Sequence, residues 1–286
     1  MLSVLKFGGS SLRNSASVGR AVEIVQKKAE KSRTVVVVSA IAGVTDQLIL
    51  MADRCAEPSF ELEDQIQTLR DMHQNILEDL LENTSKQKSA EINEFIEARL
   101  DELRDCIKKL VEKSDSSPAI RDHILSIGER LSAYIVSAIL ADRGIDSSSY
   151  ESQNFVRTND RFSEADVDTI VTRNLIREHL LPINNNVPVV TGFIGSTQNN
   201  KITTLGRSGS DYSASLVAEA IQADEVEIWT DVNGILTADP HIVPNAEPIS
   251  ELNYDDIAEL AQHGAKVIHP KTITPLYGND ITLWVK

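Results

Sequence analysis

Four consecutive valines, Val35–Val38 in RTVVVVSA, limit the fold more than any other stretch of the chain. A strand with one wet face alternates apolar and polar side chains. A run without alternation is buried on both faces, as in parallel sheets covered by helices on each side. The flanking sequence agrees with that reading: VLKF (Val4–Phe7) is a short strand, and SVGRAVEIVQKKAEK (Ser17–Lys31) is an amphipathic helix leading into the valines. The same alternation resumes downstream. Val187–Gly195 reads as a strand ending in a glycine loop, Lys201–Gly206 as a short strand, and Ser210 to about Ala223 as a helix. Glu225–Val232 is the next strand, about Tyr254–His263 a helix, and Ile281–Lys286 a terminal strand. Strands alternating with helices predict an α/β fold whose mainly parallel sheet lies between helix layers.

Between about Asp53 and Asp115 the character changes. Leu and Ile recur at helical spacing (Ile66, Leu69, Ile76, Leu77, then Ile92, Ile96, Leu100, Leu103, Ile107), and the stretch carries 17 acidic against 9 basic residues. These features predict a helical insertion, two or three helices packed as a hairpin joined near Asn83–Ser89, with the charges on a solvated face. A further helix is expected from about Ala119 to Arg143. The net charge of −15 argues against a nucleic-acid partner, because affinity for phosphate backbones rests on clustered Lys and Arg. No uninterrupted apolar run approaches a membrane span, and the first residues lack a signal-peptide pattern, so a cytoplasmic protein with no membrane partner is expected. Cys55 and Cys106 have no CxxC or histidine partner and the six histidines have no ligand spacing, so no protein-held metal site is predicted. The last residues form an apolar strand without a polar tail, which suggests a longer parent protein.

Three glycine-rich junctions follow strands: KFGGSS (Lys6–Ser11), SAIAGVTD (Ser39–Asp46) and TLGRSGSDYSA (Thr204–Ala214). In α/β sheets such junctions gather beyond the carboxyl ends of the strands, where ligands bind. Glycine admits an anion close to the backbone, and a helix start offers it unpaired N–H groups. Each junction alone is equally compatible with an ordinary strand–turn–helix; together with Lys6 and Arg207 they favour an anion site. Ser210 or Asp211 would suit the N-cap of the helix that follows. The GxxxxGK[ST] and GxGxxG phosphate signatures and the HRD and DFG pieces of protein kinases are absent from the sequence.

Read in order, KFGGSS, VVVVSAIAGVTD, SIGERLSA, TGFIG, TLGRSGSDYSA, EIWTDVNGILTADP and HGAKVIHPKTITP resemble the aspartokinases of the amino-acid kinase family over the whole of 1–286. The resemblance implies transfer of the ATP γ-phosphate to the β-carboxylate of L-aspartate, giving 4-phospho-L-aspartate, with Mg²⁺ held mainly through the phosphates. This reaction opens the biosynthesis of lysine, threonine and methionine. The implied fold is a three-layer α/β/α sandwich around an open, mainly parallel eight-stranded sheet. Residues 1–200 would form an amino-acid-substrate lobe containing the insertion at about 53–115, and 201–286 a nucleotide lobe. The paired ACT regulatory domains that normally follow are not in this sequence, so feedback inhibition by lysine or threonine is not expected of it. The full-length protein would be a homodimer, with aspartate and ATP as its small-molecule partners.

By the same resemblance Lys6 would reach the transferring phosphate while Gly8, Gly9 and Ser10 cradle the phosphates. Asp211 would orient Lys6 or sit near the metal-bound phosphates; the helix-cap role remains a competing one. Arg207 would clamp a substrate carboxylate and Glu129 would pair with the substrate ammonium, with Ser39, Thr45 and Ser210 adding hydrogen bonds. Without the resemblance, Glu129 reads as a helix-start or surface charge. Thr230 and Asp231 would hold the base or ribose, and Lys266 and Val267 would contact ATP. His269 and Pro270 read as a structural helix or strand start. Leu236 and His241 depart from the tyrosine and arginine common in relatives, which bears on ATP affinity rather than on the reaction. The rival readings are a kinase for acetylglutamate, glutamate or a nucleoside monophosphate, and a non-catalytic ATP- or amino-acid-binding module. A third treats the acidic helices as an interaction platform.

Overall fold

The computed structural model describes residues 1–112, 117–182, 186–230, 234–237, 243, 245–247, 249–262 and 268–286. In chain order the elements are β1 (Leu2–Phe7), α1 (Ser15–Ala29), β2 (Arg33–Val38), α2 (Val44–Arg54), α3 (Leu62–Leu80), α4 (Lys86–Glu112) and α5 (Pro118–Asp142). Next come β3 (Ser147–Tyr150), α6 (Thr169–Leu180), β4 (Val187–Thr191), β5 (Ile194–Ser196), β6 (Ile202–Thr204) and α7 (Gly209–Ile221). The chain continues through β7 (Glu225–Trp229), α8 (Tyr254–Gln262), α9 (Pro270–Ile273) and β8 (Thr282–Val285).

Six strands form one all-parallel sheet in the order β3-β4-β2-β1-β7-β8, while β5 and β6 form a separate antiparallel pair. The eight-stranded sheet expected from the sequence is therefore corrected: the described residues contain eight strands, but only six share a sheet. Val187–Gly195 does not run on as one strand. It breaks after Thr191, where Phe193 takes a left-handed backbone (φ +67°), and the chain turns out of the sheet into the short β5–β6 hairpin. The strand expected over Glu225–Val232 likewise stops at Trp229.

The valine run behaves as its lack of alternation predicted. Val36 and Val38 feed the core on one sheet face, with Leu5 and Phe7 of β1, and Val35 and Val37 feed the other, with Val4. Helices α1 to α5 cover the first face and α6 and α7 the second, with α9 packed on α7. The insertion folds as the expected hairpin, with α3 and α4 joined at 81–85.

Helix α5 contains no uninterrupted apolar run of membrane-spanning length, since Arg121, Asp122, Glu129 and Arg130 interrupt it. Taken whole, it is long and apolar enough to cross a membrane by length and composition, but 83% of its most apolar window is buried. It is the central core helix, packed on α1 to α4 and on β2, β3, β4 and β6. Burial of side chains such as Ile124, Ile127, Leu131 and Ile135 stabilises by about 1.5–3 kcal/mol each. Close approach requires Gly128: a Cβ there would lie 2.8 Å from the Ala40 Cβ and 3.1 Å from Val44 Cγ1. Gly128→Ala should therefore lower the melting temperature, although alanine is intrinsically about 1 kcal/mol better than glycine in a helix. A thermal melt showing stabilisation would remove the close-packing argument.

Candidate active site

The carboxyl ends of β1 and β2, the starts of α2 and α7 and the middle of α5 surround a pocket of about 390 Å³. Lys6, Gly9, Ser10, Ser39, Thr45, Glu129, Ser210 and Asp211 all line it. Residues more than 200 positions apart meet because the parallel order β2-β1-β7 puts each strand-to-helix junction on the same sheet edge.

Lys6 is the next-to-last residue of β1, and its ammonium lies 2.6 Å from Asp211 Oδ1, with both side chains mostly buried. Asp211 sits in the first turn of α7. Neither it nor Ser210 is the N-cap; that position is Ser208, whose backbone is left-handed (φ +56°) and whose side chain makes no capping bond. Asp211 is thereby released from the cap role that competed for it and is committed to Lys6.

Glu129, on α5, is buried and faces the pocket. One of its carboxylate oxygens accepts the Ala40 N–H at 3.1 Å, while Oε2 is buried without a hydrogen-bond partner. Burial pushes its pKa up to about 8, only partly offset by the amide donors. A buried carboxylate oxygen left unpaired is costly, and a cationic ligand would relieve the cost.

The phosphate-loop glycines are less open than their sequence suggests. The Gly8 N–H donates to Trp229 O at 3.4 Å, and a Cβ on Gly8 would lie 3.1 Å from Lys6 Nζ. Gly9 precedes a short 3₁₀ turn, Ser10–Leu12, in which Ser11 Oγ donates to Trp229 O. Arg207 is exposed and is not itself part of the lining, although its neighbours Gly206 and Ser208 are. Thr230 follows β7 directly, its N–H donating to Lys286 O, and does not line this pocket. Asp231, Lys266 and Val267 lie outside the described residues, as does His241. His269 caps α9 by accepting the Lys271 N–H, the structural role read for it.

Two contributors escaped the sequence. Phe193 lines the pocket from the turn between β4 and β5, where only its positive φ marks it as unusual. The Ala40 amide acts through the backbone, which no residue pattern reveals.

Comparison with known proteins places this architecture. The profile of the amino acid kinase family matches residues 1–286. The chain belongs to the amino acid kinase family. It is 37% identical to the lysine-sensitive aspartokinase 3 of Escherichia coli over 285 residues, covering 99% of the chain and 60% of that relative. It is 31% identical to the bifunctional aspartokinase/homoserine dehydrogenase of Buchnera aphidicola, covering all of the chain and 35% of that relative. Its fold is similar to that of E. coli aspartokinase III solved in complex with aspartate and ADP, with a TM-score of 0.88 and 35% identity, spanning 62% of that chain. A uridylate-class member, the UMP kinase of Ureaplasma parvum, shares the fold at a TM-score of 0.53 and 12% identity. The sequence thus spans about three fifths of the length of aspartokinase 3.

Proposed function

We propose that this chain is the catalytic region of an aspartate kinase, transferring the ATP γ-phosphate to the β-carboxylate of L-aspartate. The observation that carries the reading is Glu129: a buried carboxylate with one unpartnered oxygen faces the same pocket as the Lys6–Asp211 pair. The pocket therefore offers an anionic subsite for an ammonium group and, at the end of β1, a cation for a phosphate. An amino acid joined to a phosphate acceptor fits both, and the E. coli relative solved with aspartate and ADP supports the choice of substrates.

The nucleophile is the substrate's own carboxylate, ionised at pH 7 because such groups titrate near a pKa of about 3.9. One of its oxygens bonds to the γ-phosphorus as the bond to the bridging oxygen breaks and ADP leaves; no proton is transferred, so no general base is required. The barrier is the approach of two anions. Lys6 offsets that charge where it develops, and Asp211 holds the ammonium in place. Glu129 fixes the substrate ammonium, Thr45, Ser39 and Ser210 border the same space, and Arg207 closes on a substrate carboxylate from the rim, a planar fork suited to bidentate contact. Gly8, Gly9 and Ser10 border the phosphate path.

Magnesium is assigned to the ATP phosphates rather than to a cluster of protein side chains. When bound, it would neutralise phosphate charge. Residues 201–286 are assigned to the nucleotide, with Thr230, Asp231, Lys266 and Val267 as its contacts, and 1–200 to aspartate; a homodimeric, cytoplasmic full-length enzyme completes the proposal.

The test is ADP release with aspartate, glutamate and acetylglutamate in parallel, with hydroxylamine trapping of the acyl phosphate. Aspartate alone should give trapped product, and neither lysine nor threonine should inhibit. Turnover of acetylglutamate without aspartate turnover would replace this reading with the rival kinase.

A further inference from the structure

Asp122 lies on α5 seven residues, two helical turns, before Glu129, so both project from one side of the helix. It is completely buried, and no cation pairs with it among the described residues. Its carboxylate instead accepts backbone amides. Ser163 N–H donates to Oδ2 at 2.8 Å, Thr204 N–H to Oδ2 at 2.7 Å, and the Ser163 hydroxyl reaches Oδ1 at 3.4 Å. A charge buried this way is expensive unless its hydrogen bonds are retained, so the two amides are fixed relative to α5.

Those amides lead directly to the pocket. Thr204 is the last residue of β6, and its carbonyl accepts the Ala165 N–H at 2.9 Å, so both of its backbone groups are held. The next residues are Leu205 and then Gly206, where a side chain would be strained by the φ of +74° and would fit only if its neighbours shifted: a Cβ would lie 3.0 Å from Glu164 Cγ and 3.3 Å from Ser163 O. Arg207 and the left-handed Ser208 follow, and α7 begins. The segment that Asp122 anchors is thus continuous with the rim that carries Arg207.

We infer that Asp122 is a positioning residue: through the Ser163 and Thr204 amides it fixes the Gly206–Ser208 rim, and so Arg207, relative to Glu129 on the same helix. The inference rests on the aspartate-kinase reading for its ligand, but the clamp itself does not. Helix α5 then sets the spacing between the group that would take the substrate ammonium and the group that would take its carboxylate.

Asp122→Asn keeps the shape while turning an amide N–H₂ toward N–H donors. Small displacements of a positioning group cost up to about 10²-fold in rate, so the aspartate KM should rise about tenfold, with the ATP KM and kcat within about twofold. On an Arg207→Ala background the same change should add less than about twofold, because the two act through one contact. Amide hydrogen exchange over 204–208 should quicken at least about tenfold, with α7 unchanged. An unchanged aspartate KM, or effects that multiply in the double variant, would overturn the inference. If Asp122→Asn does not fold, Gly206→Ala displaces the same rim with Asp122 intact and should raise the aspartate KM alone; an unaltered KM there also overturns it. Should the wild type show no aspartate turnover, the kinase reading falls, and the exchange comparison still decides whether Asp122 holds the rim.

Discussion

Lys6→Ala is expected to lower kcat by about 10²–10³-fold while changing the aspartate KM little, the size found when one preorganised charge-stabilising group is removed from a reaction centre. Lys6 is next to last in a central strand paired with neighbours on both sides, so its backbone position is firmly held. Its ammonium is already paired with Asp211 at 2.6 Å and mostly shielded from water, so little reorganisation is needed when a phosphate arrives. Such shielding makes each charge more effective than it would be in water. Asp211→Asn should fall in the same direction but less far, since it loosens Lys6 without deleting it. Steady-state kinetics with both substrates varied give the split. A raised aspartate KM at unchanged kcat would move Lys6 from the transferring phosphate to ground-state binding of the amino acid.

The parts of this molecule that were legible in the sequence are those where burial or chemistry forces a pattern. Val35–Val38 could be assigned because a strand wet on either face would not tolerate it. The insertion could be assigned because its apolar residues return every three or four positions, and α3 and α4 bury them. Three elements had no such signal. Strand β3 is SSSY, an edge strand that pairs only with β4 and has no fully buried residue, so nothing in it demands an apolar one. Helix α2 follows directly on the SAIAGV junction and starts from the left-handed Gly43, and α6 starts from an Asp168 cap bonding Val171 N–H; neither start was distinct from a turn. The separation of β5–β6 from the main sheet turns on a backbone dihedral at Phe193, which residue type does not encode. Lys6 and Ser39, marked in the sequence at strand ends, line the pocket and Thr230 does not; Asp122 carried no mark, because a buried aspartate on an apolar helix declares itself only by the distant amides that it accepts.

Glu129→Gln is expected to separate stability from binding. The folded protein holds the Glu129 proton up to a pKa of about 8, whereas the unfolded chain releases it near the ordinary glutamate value of 4.5. Between those values the folded state binds the extra proton, so wild-type stability falls as pH rises from about 4.5 to about 8 and levels off above. Glutamine cannot ionise. The variant should match the wild type near pH 5 and melt higher at pH 8–9, by about 2–4 °C for each kcal/mol of desolvation cost relieved. Aspartate binding should move the opposite way. The substrate ammonium needs the ionised carboxylate, so kcat/KM for aspartate in the wild type should climb with pH and bend near pH 8. In Glu129→Gln the bend should vanish and the aspartate KM should rise by about 10²-fold or more, the cost of leaving a charged ligand group without its partner. Binding below pH 8 should also release a proton, seen as a calorimetric enthalpy that varies with the buffer. An aspartate KM insensitive to pH between 6 and 9, together with a variant no more stable at alkaline pH, would show that Glu129 is an ordinary structural carboxylate. It would then be the Ala40 amide alone that the helix was built to hold.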